Sequence, residues 1–112
     1  MHSLNIAHSA FQPYNILIDP DTHDLALCDF GSAKRLSNPK EKSVTYISTR
    51  YYRAPELLLG NEHYNMAIDL WAAGCVIAEI FRNGKILFIA SSNQDLLIQI
   101  FQIMGTPTKE EF

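Results

Sequence analysis

Short apolar runs and one long one divide this chain into segments of different character. Ile16-Leu17-Ile18, after Asn15, ends at the turn-forming cluster Asp19-Pro20-Asp21, and Leu25-Ala26-Leu27-Cys28 follows as a second run of the same kind. Short apolar runs bounded by turn residues predict the two strands of a small β-hairpin. From Ser32 to Ser48 neither a helical nor a strand period is present, and Ser37-Asn38-Pro39-Lys40-Glu41-Lys42-Ser43 predicts a mobile loop. In Ala54-Pro55-Glu56-Leu57-Leu58-Leu59-Gly60, Pro stands near a helix start and Gly just past its end, so a helix of one or two turns is expected.

Ala67 to Phe81 places apolar residues nearly all round a helical cylinder, which predicts burial on most sides. The stretch is interrupted by Asp69, Gly74 and Glu79 and falls short of the roughly 20 residues that a membrane helix needs, so no membrane contact is expected. Asn93 to Met104 differs, because Leu96, Leu97, Ile100, Phe101, Ile103 and Met104 form one stripe that ends at Gly105 and Pro107. That pattern predicts a helix with one wet side. No internal repeat is visible, and the predicted order is hairpin, loop, three helices: a mainly α fold with a small β-hairpin.

Composition changes this picture little. With 47% apolar and 19% charged residues among 112, the chain can build one core and does not read as disordered. A formal net charge of −3, scattered along the chain, suggests no nucleic-acid partner. Cys28 and Cys75 lie far apart and outside any metal-ligand spacing, which predicts two reduced, buried thiols. Nothing at the start reads as a secretory leader, so a cytoplasmic or nuclear location is expected.

Asp29-Phe30-Gly31 directly follows the second predicted strand, and Ala54-Pro55-Glu56 stands about two dozen residues later, across the polar loop. Asp69-Leu70-Trp71-Ala72-Ala73-Gly74 then opens the long apolar helix. Any one of these strings alone is weak. In this order they match the DFG motif, activation loop, APE motif and D-x-W-x-x-G helix of a protein kinase. The surrounding strings Leu27-Cys28-Asp29-Phe30-Gly31-Ser32-Ala33-Lys34, Tyr46-Ile47-Ser48-Thr49-Arg50-Tyr51-Tyr52-Arg53 and Met104-Gly105-Thr106-Pro107-Thr108 narrow the resemblance. The chain resembles the glycogen synthase kinase 3 family of Ser/Thr kinases, from the His2-Ser3 pair to its last residues.

The resemblance implies a partial kinase large (C-terminal) lobe over 1–112, with the small lobe absent. It implies a catalytic-loop remnant at 8–15, DFG at 29–31, activation loop at 32–53 and APE at 54–56. The central helix is expected at about 66–82 and the next helix at about 93–104. The family pattern H-R-D-x-K-P-x-N falls on His8-Ser9-Ala10-Phe11-Gln12-Pro13-Tyr14-Asn15, so His8, Pro13 and Asn15 match while Ser9, Ala10 and Gln12 replace three charged residues. Ala10 cannot accept a proton, and loss of a general base alone typically costs about 10²- to 10⁴-fold in rate. Gln12 lacks the cation that stabilises the transferring phosphoryl group. No useful phosphoryl transfer is therefore expected.

Family resemblance implies ATP and magnesium as cofactors, with Asn15 and Asp29 as magnesium ligands and Leu17 as the floor under adenine. The Gly-rich loop, the strand Lys and its Glu partner would lie upstream of Met1, so weak or no nucleotide binding is expected. Tyr46 matches the activation-loop tyrosine that the family phosphorylates, and Arg50 and Arg53 stand where phosphate-pairing arginines would be. Lys34 matches one basic residue of a priming-phosphate pocket. His8 and Asp69 match structural positions, Asp69 being the buried carboxylate that holds the catalytic-loop backbone. Thr49 matches a residue whose usual partners, the catalytic Asp and Lys, are replaced, so its presence reflects ancestry rather than use. Asp19, Asp21 and Asp24 superficially resemble a calcium loop, but Asp24 stands where such a loop needs Gly. Three functions compete: an inactive kinase-homologous segment, a module binding protein partners through exposed apolar helix surfaces, and an active Ser/Thr kinase with an upstream lobe.

Overall fold

The computed structural model describes residues 1–45 and 49–111. Two antiparallel ladders lie at its N-terminal end. Strands β2 (Ile16–Ile18) and β3 (Leu25–Leu27) form the expected hairpin, in the register Ile16 to Leu27 and Ile18 to Leu25. Asp19 builds the turn: its Oδ1 accepts the N–H groups of Asp21 at 2.8 Å and Thr22 at 3.2 Å, the side-chain turn closure that favours Asp there.

A second ladder pairs β1 (Ile6–Ala7) with β4 (Lys34–Arg35), and β4 lies inside the stretch expected to be an irregular loop. Two-residue strands carry too few positions for a period to appear, and β4 is held by a partner far upstream rather than by its own pattern. The polar stretch is anchored again at Ser43, which is buried and donates its N–H to the Glu62 carbonyl at 2.8 Å. Tyr64 Oη donates to the Val44 carbonyl at 2.7 Å.

Helix α1 (Pro55–Leu58) is one turn long. Ala54 is extended, as the residue before a proline prefers, and Pro55 fills the first position, where no N–H is required. Leu57 and Leu58 are buried by it. Helix α2 (Ala67–Phe81) is the structural axis, burying Ile68, Asp69, Ala72, Cys75 and Val76. Its other side is open, with Leu70, Ile77, Ile80 and Phe81 exposed, so the burial on most sides expected from the sequence holds for one face alone. Helix α3 (Asn93–Met104) starts at Ser92, whose Oγ accepts the Asp95 N–H at 3.1 Å, and stops at Gly105, with φ of 84°. Its stripe enters the core through Leu96 and Ile100, while Ile103 and Met104 remain exposed.

The main core joins α2 and α3 through Ala72, Cys75, Val76, Phe88, Leu96 and Ile100. Trp71 stacks on Phe88 with ring centroids 6.1 Å apart. Both backbone groups of Ile89 bond the Gln99 side-chain amide, tying the connecting segment to α3. Cys28 and Cys75 are both free, but Cys28 is half-buried and Cys75 alone is buried.

Leu96→Ala is expected to cost about 2–5 kcal/mol in chemical denaturation, because Leu96 is fully buried, whereas Ile98→Ala on the exposed side of α3 should cost well under half of that. Burial, with Glu79 adding to it, pushes the Cys75 thiol from 9.0 up to about 11. The neutral thiol is thus the favoured native form, and its contribution is present below pH 9 and lost as pH rises towards 11. At pH 8, iodoacetamide should modify Cys28 in the folded chain and Cys75 only after denaturant is added, as read by peptide mass.

Candidate catalytic-loop site

Asp69, in the first turn of α2, is 6% exposed and faces the catalytic-loop remnant. Its Oδ2 accepts the His8 N–H at 2.7 Å and its Oδ1 accepts the Ser9 N–H at 2.9 Å. His2 Nε2 approaches Oδ2 at 2.8 Å. Ser9 has a φ of 66°, a left-handed conformation unusual for serine, and the paired carboxylate bonds hold that turn in place.

His8 is buried and its two nitrogens have separate tasks. Nδ1 accepts the Ala10 N–H at 3.2 Å, which leaves Nε2 protonated and donating to the Cys28 carbonyl at 2.9 Å. The ring also meets Phe30 edge-on with centroids 5.1 Å apart. His8 therefore joins the catalytic loop to the DFG segment. The Ala10 carbonyl accepts Asn15 Nδ2 at 2.8 Å, and the Asn15 carbonyl accepts the Cys28 N–H at 2.9 Å, closing the loop onto the hairpin.

Asp29 is exposed, with a φ of 60°. Its Oδ1 accepts the Gly31 N–H at 3.2 Å, and a Cβ on Gly31 would sit 3.1 Å from that oxygen, so the tight turn favours glycine. Leu17 is exposed on β2. Thr49 donates its hydroxyl to Gln12 Oε1 at 2.5 Å, so a carboxamide at the Lys position still accepts a hydrogen bond.

Arg50 donates to the Ser91 carbonyl at 2.7 Å, and buried Arg53 reaches Asn93 Oδ1 at 3.1 Å, so both fasten the activation segment to the start of α3. Lys34 pairs with Glu41 at 3.4 Å. Tyr46 lies outside the described residues. Tyr52, missed by sequence reading, donates its hydroxyl to Glu79 at 2.9 Å; burial first, then this bond, raises its phenol above the ordinary range. No local signal marks the pairings of Arg50, Arg53 and Tyr52, because their partners are tens of residues away.

A cavity of about 10 Å³ is bounded by Ser9, Phe11, Tyr52, Leu57, Ile68, Asp69 and Ala72. Ser9 Oγ has no hydrogen-bond partner among the described residues, and the space suits a single water. Asn15 and Asp29 offer one amide and one carboxylate, and no three His, Cys, Asp or Glu side chains converge among the described residues. Magnesium takes near-octahedral oxygen coordination, so these two side chains fit it only as partial ligands to an ion that brings other donors.

A helix-borne carboxylate gripping the backbone of an H-x-x-x-x-P-x-N loop, with DFG behind it, defines a protein kinase large-lobe core. The chain belongs to the protein kinase domain family, whose profile matches residues 1–112. It is 49% identical over 110 residues to the serine/threonine-protein kinase RIM11/MSD1 of Saccharomyces cerevisiae. That match takes in 98% of this chain and 29% of the relative, so the chain spans less than a third of the relative's length. The kinship agrees with the Ser/Thr kinase resemblance of the DFG and APE segments.

Asp69→Ala should leave two buried backbone N–H groups without an acceptor and cost about 3 kcal/mol or more. Asp69→Asn keeps one acceptor oxygen and should lie between. Urea midpoints are expected to fall in the order wild type, Asn, Ala.

Proposed function

We propose that this chain is a non-catalytic, pseudokinase-like member of the protein kinase family, in which the frame of the activation segment is kept and phosphoryl transfer is lost. The observation that carries this reading is Ala10. The position of the proton-accepting Asp holds a buried methyl group, and the residue's N–H and carbonyl are already bonded to His8 and Asn15. Neither can take a proton from a substrate hydroxyl. Gln12, at the Lys position, accepts from Thr49 and positions it, but brings no charge to a transferring phosphate.

ATP would supply the phosphoryl group and carry magnesium. Asn15 and Asp29 would add two oxygen ligands and Leu17 an apolar surface under adenine, which supports binding of millimolar strength or weaker. Arg50 and Arg53 act in this reading as clamps between the activation segment and α3, with a phosphate on Tyr46 as a competitor for them. A second reading, a module that binds protein, is favoured by the open apolar side of α2.

Incubation of the chain with radiolabelled ATP, magnesium and a generic protein substrate should give no incorporation above that of Asp29→Ala. Incorporation that Asp29→Ala abolishes overturns the non-catalytic reading. A thermal-shift titration with Mg-ATP should show no transition shift below millimolar nucleotide.

A further inference from the structure

The stretch from Ser37 to Ser43 has no period of its own, yet two kinds of bond fix its course. Locally, Asn38 builds a turn: its Oδ1 accepts the Lys40 N–H at 3.0 Å and its carbonyl accepts the Glu41 N–H at 3.1 Å. From a distance, residues 61–64, between α1 and α2, meet the stretch at four places. Tyr64 Oη donates to the Val44 carbonyl at 2.7 Å, and the Ser43 N–H donates to the Glu62 carbonyl at 2.8 Å. His63 Nδ1 donates to the Pro39 carbonyl at 3.1 Å, and Lys42 pairs with Glu62 at 3.4 Å.

These four contacts are of unequal weight. Lys42 and Glu62 are 74% and 49% exposed, so water screens their ion pair and it contributes little. The His63 bond is exposed as well. Tyr64 and Ser43 are 9% and 7% exposed, and a polar group that loses its partner there is left away from water. Burial raises the Tyr64 phenol above its ordinary range, so the hydroxyl stays a donor at neutral pH.

Both sides of the contact are themselves held in place. The Tyr64 ring packs with Ala7, Ala54, Leu57 and Ile68, and Leu36 packs against the same cluster, so one small core anchors the stretch at both of its ends. The Asn61 N–H donates to the Glu56 carbonyl at 2.9 Å and Asn61 Oδ1 accepts the His63 N–H at 2.9 Å, which fixes how residues 61–64 leave α1.

We propose that residues 61–64 are a latch that holds the 37–44 stretch of the activation segment docked in the unmodified chain, with the Tyr64 hydroxyl on the Val44 carbonyl as the bond that keeps it closed. A phosphate on Tyr46 is then unnecessary for docking. The latch goes beyond the non-catalytic reading and does not depend on it, because its bonds use none of residues 8–15.

Limited trypsinolysis of the phosphatase-treated 112-residue chain tests it. Cuts after Lys40 and Lys42 report opening of the latch, and a cut after Arg53, which is 3% exposed, reports unfolding of the whole chain. Cleavage after Lys40 and Lys42 should be slower by about 10-fold or more than in a peptide of residues 36–46. Tyr64→Phe keeps the ring and removes the hydroxyl, and should speed those two cuts about 5- to 10-fold while the cut after Arg53 changes far less. His63→Ala should speed them about 2- to 3-fold, and Glu62→Gln by less than about 2-fold, since Ser43 bonds the Glu62 backbone. Equal rates in chain and peptide overturn the proposal, as does a Tyr64→Phe chain cut no faster after Lys40 and Lys42. A Glu62→Gln effect as large as that of Tyr64→Phe also overturns it, because the exposed ion pair would then hold the loop. His63 is exposed, so its replacement leaves the core intact and decides the matter where Tyr64→Phe does not fold: no speeding after Lys40 relative to Arg53 then overturns the latch.

Discussion

One carboxylate holds the two halves of this structure together. Asp69 sits about 60 residues along the chain from the backbone groups it accepts, and its bonds to the His8 and Ser9 N–H groups set the left-handed turn at Ser9. A buried anion is costly unless its oxygens are satisfied, and here two backbone donors and His2 satisfy them. Everything that follows in the loop depends on that turn: the His8 ring is oriented to bridge Ala10 and Cys28, and Asn15 closes back on the Ala10 carbonyl.

The bonds that shape the loop use backbone atoms and neutral side chains. The side chains at Ser9, Ala10 and Gln12, where the family pattern carries charge, are neutral. The course of the loop therefore does not depend on charge at those three positions. Gln12 illustrates this, since its carboxamide still receives the Thr49 hydroxyl and keeps the end of the activation segment against the catalytic loop. Arg50 and Arg53 extend this by fastening the same segment to the start of α3.

Helix α2 presents two unlike faces. Its inner face carries Asp69 and the core residues that meet α3, and its outer face leaves Leu70, Ile77 and Phe81 in water. Burying such a stripe is favourable by roughly 25 cal/mol per Å² of apolar surface, so a covering surface stabilises the helix that positions the catalytic-loop remnant.

The sequence by itself determined the features that are local. The hairpin, the Pro55 start of α1, the Ser92 and Gly105 ends of α3 and the apolar run of α2 are legible because turn chemistry, capping and hydrophobic period act over a few residues. The replaced positions Ser9, Ala10 and Gln12 are legible for the same reason, since an alanine lacks a proton acceptor in any fold. Tertiary structure alone decided the β1 to β4 ladder, the His2 contact to Asp69, the Thr49 to Gln12 bond and the side of α2 that faces water. Each of these pairs groups that are distant along the chain, or depends on which surfaces remain uncovered. A helix apolar on all sides states that it can be buried all round; only the packing of its neighbours settles which side is.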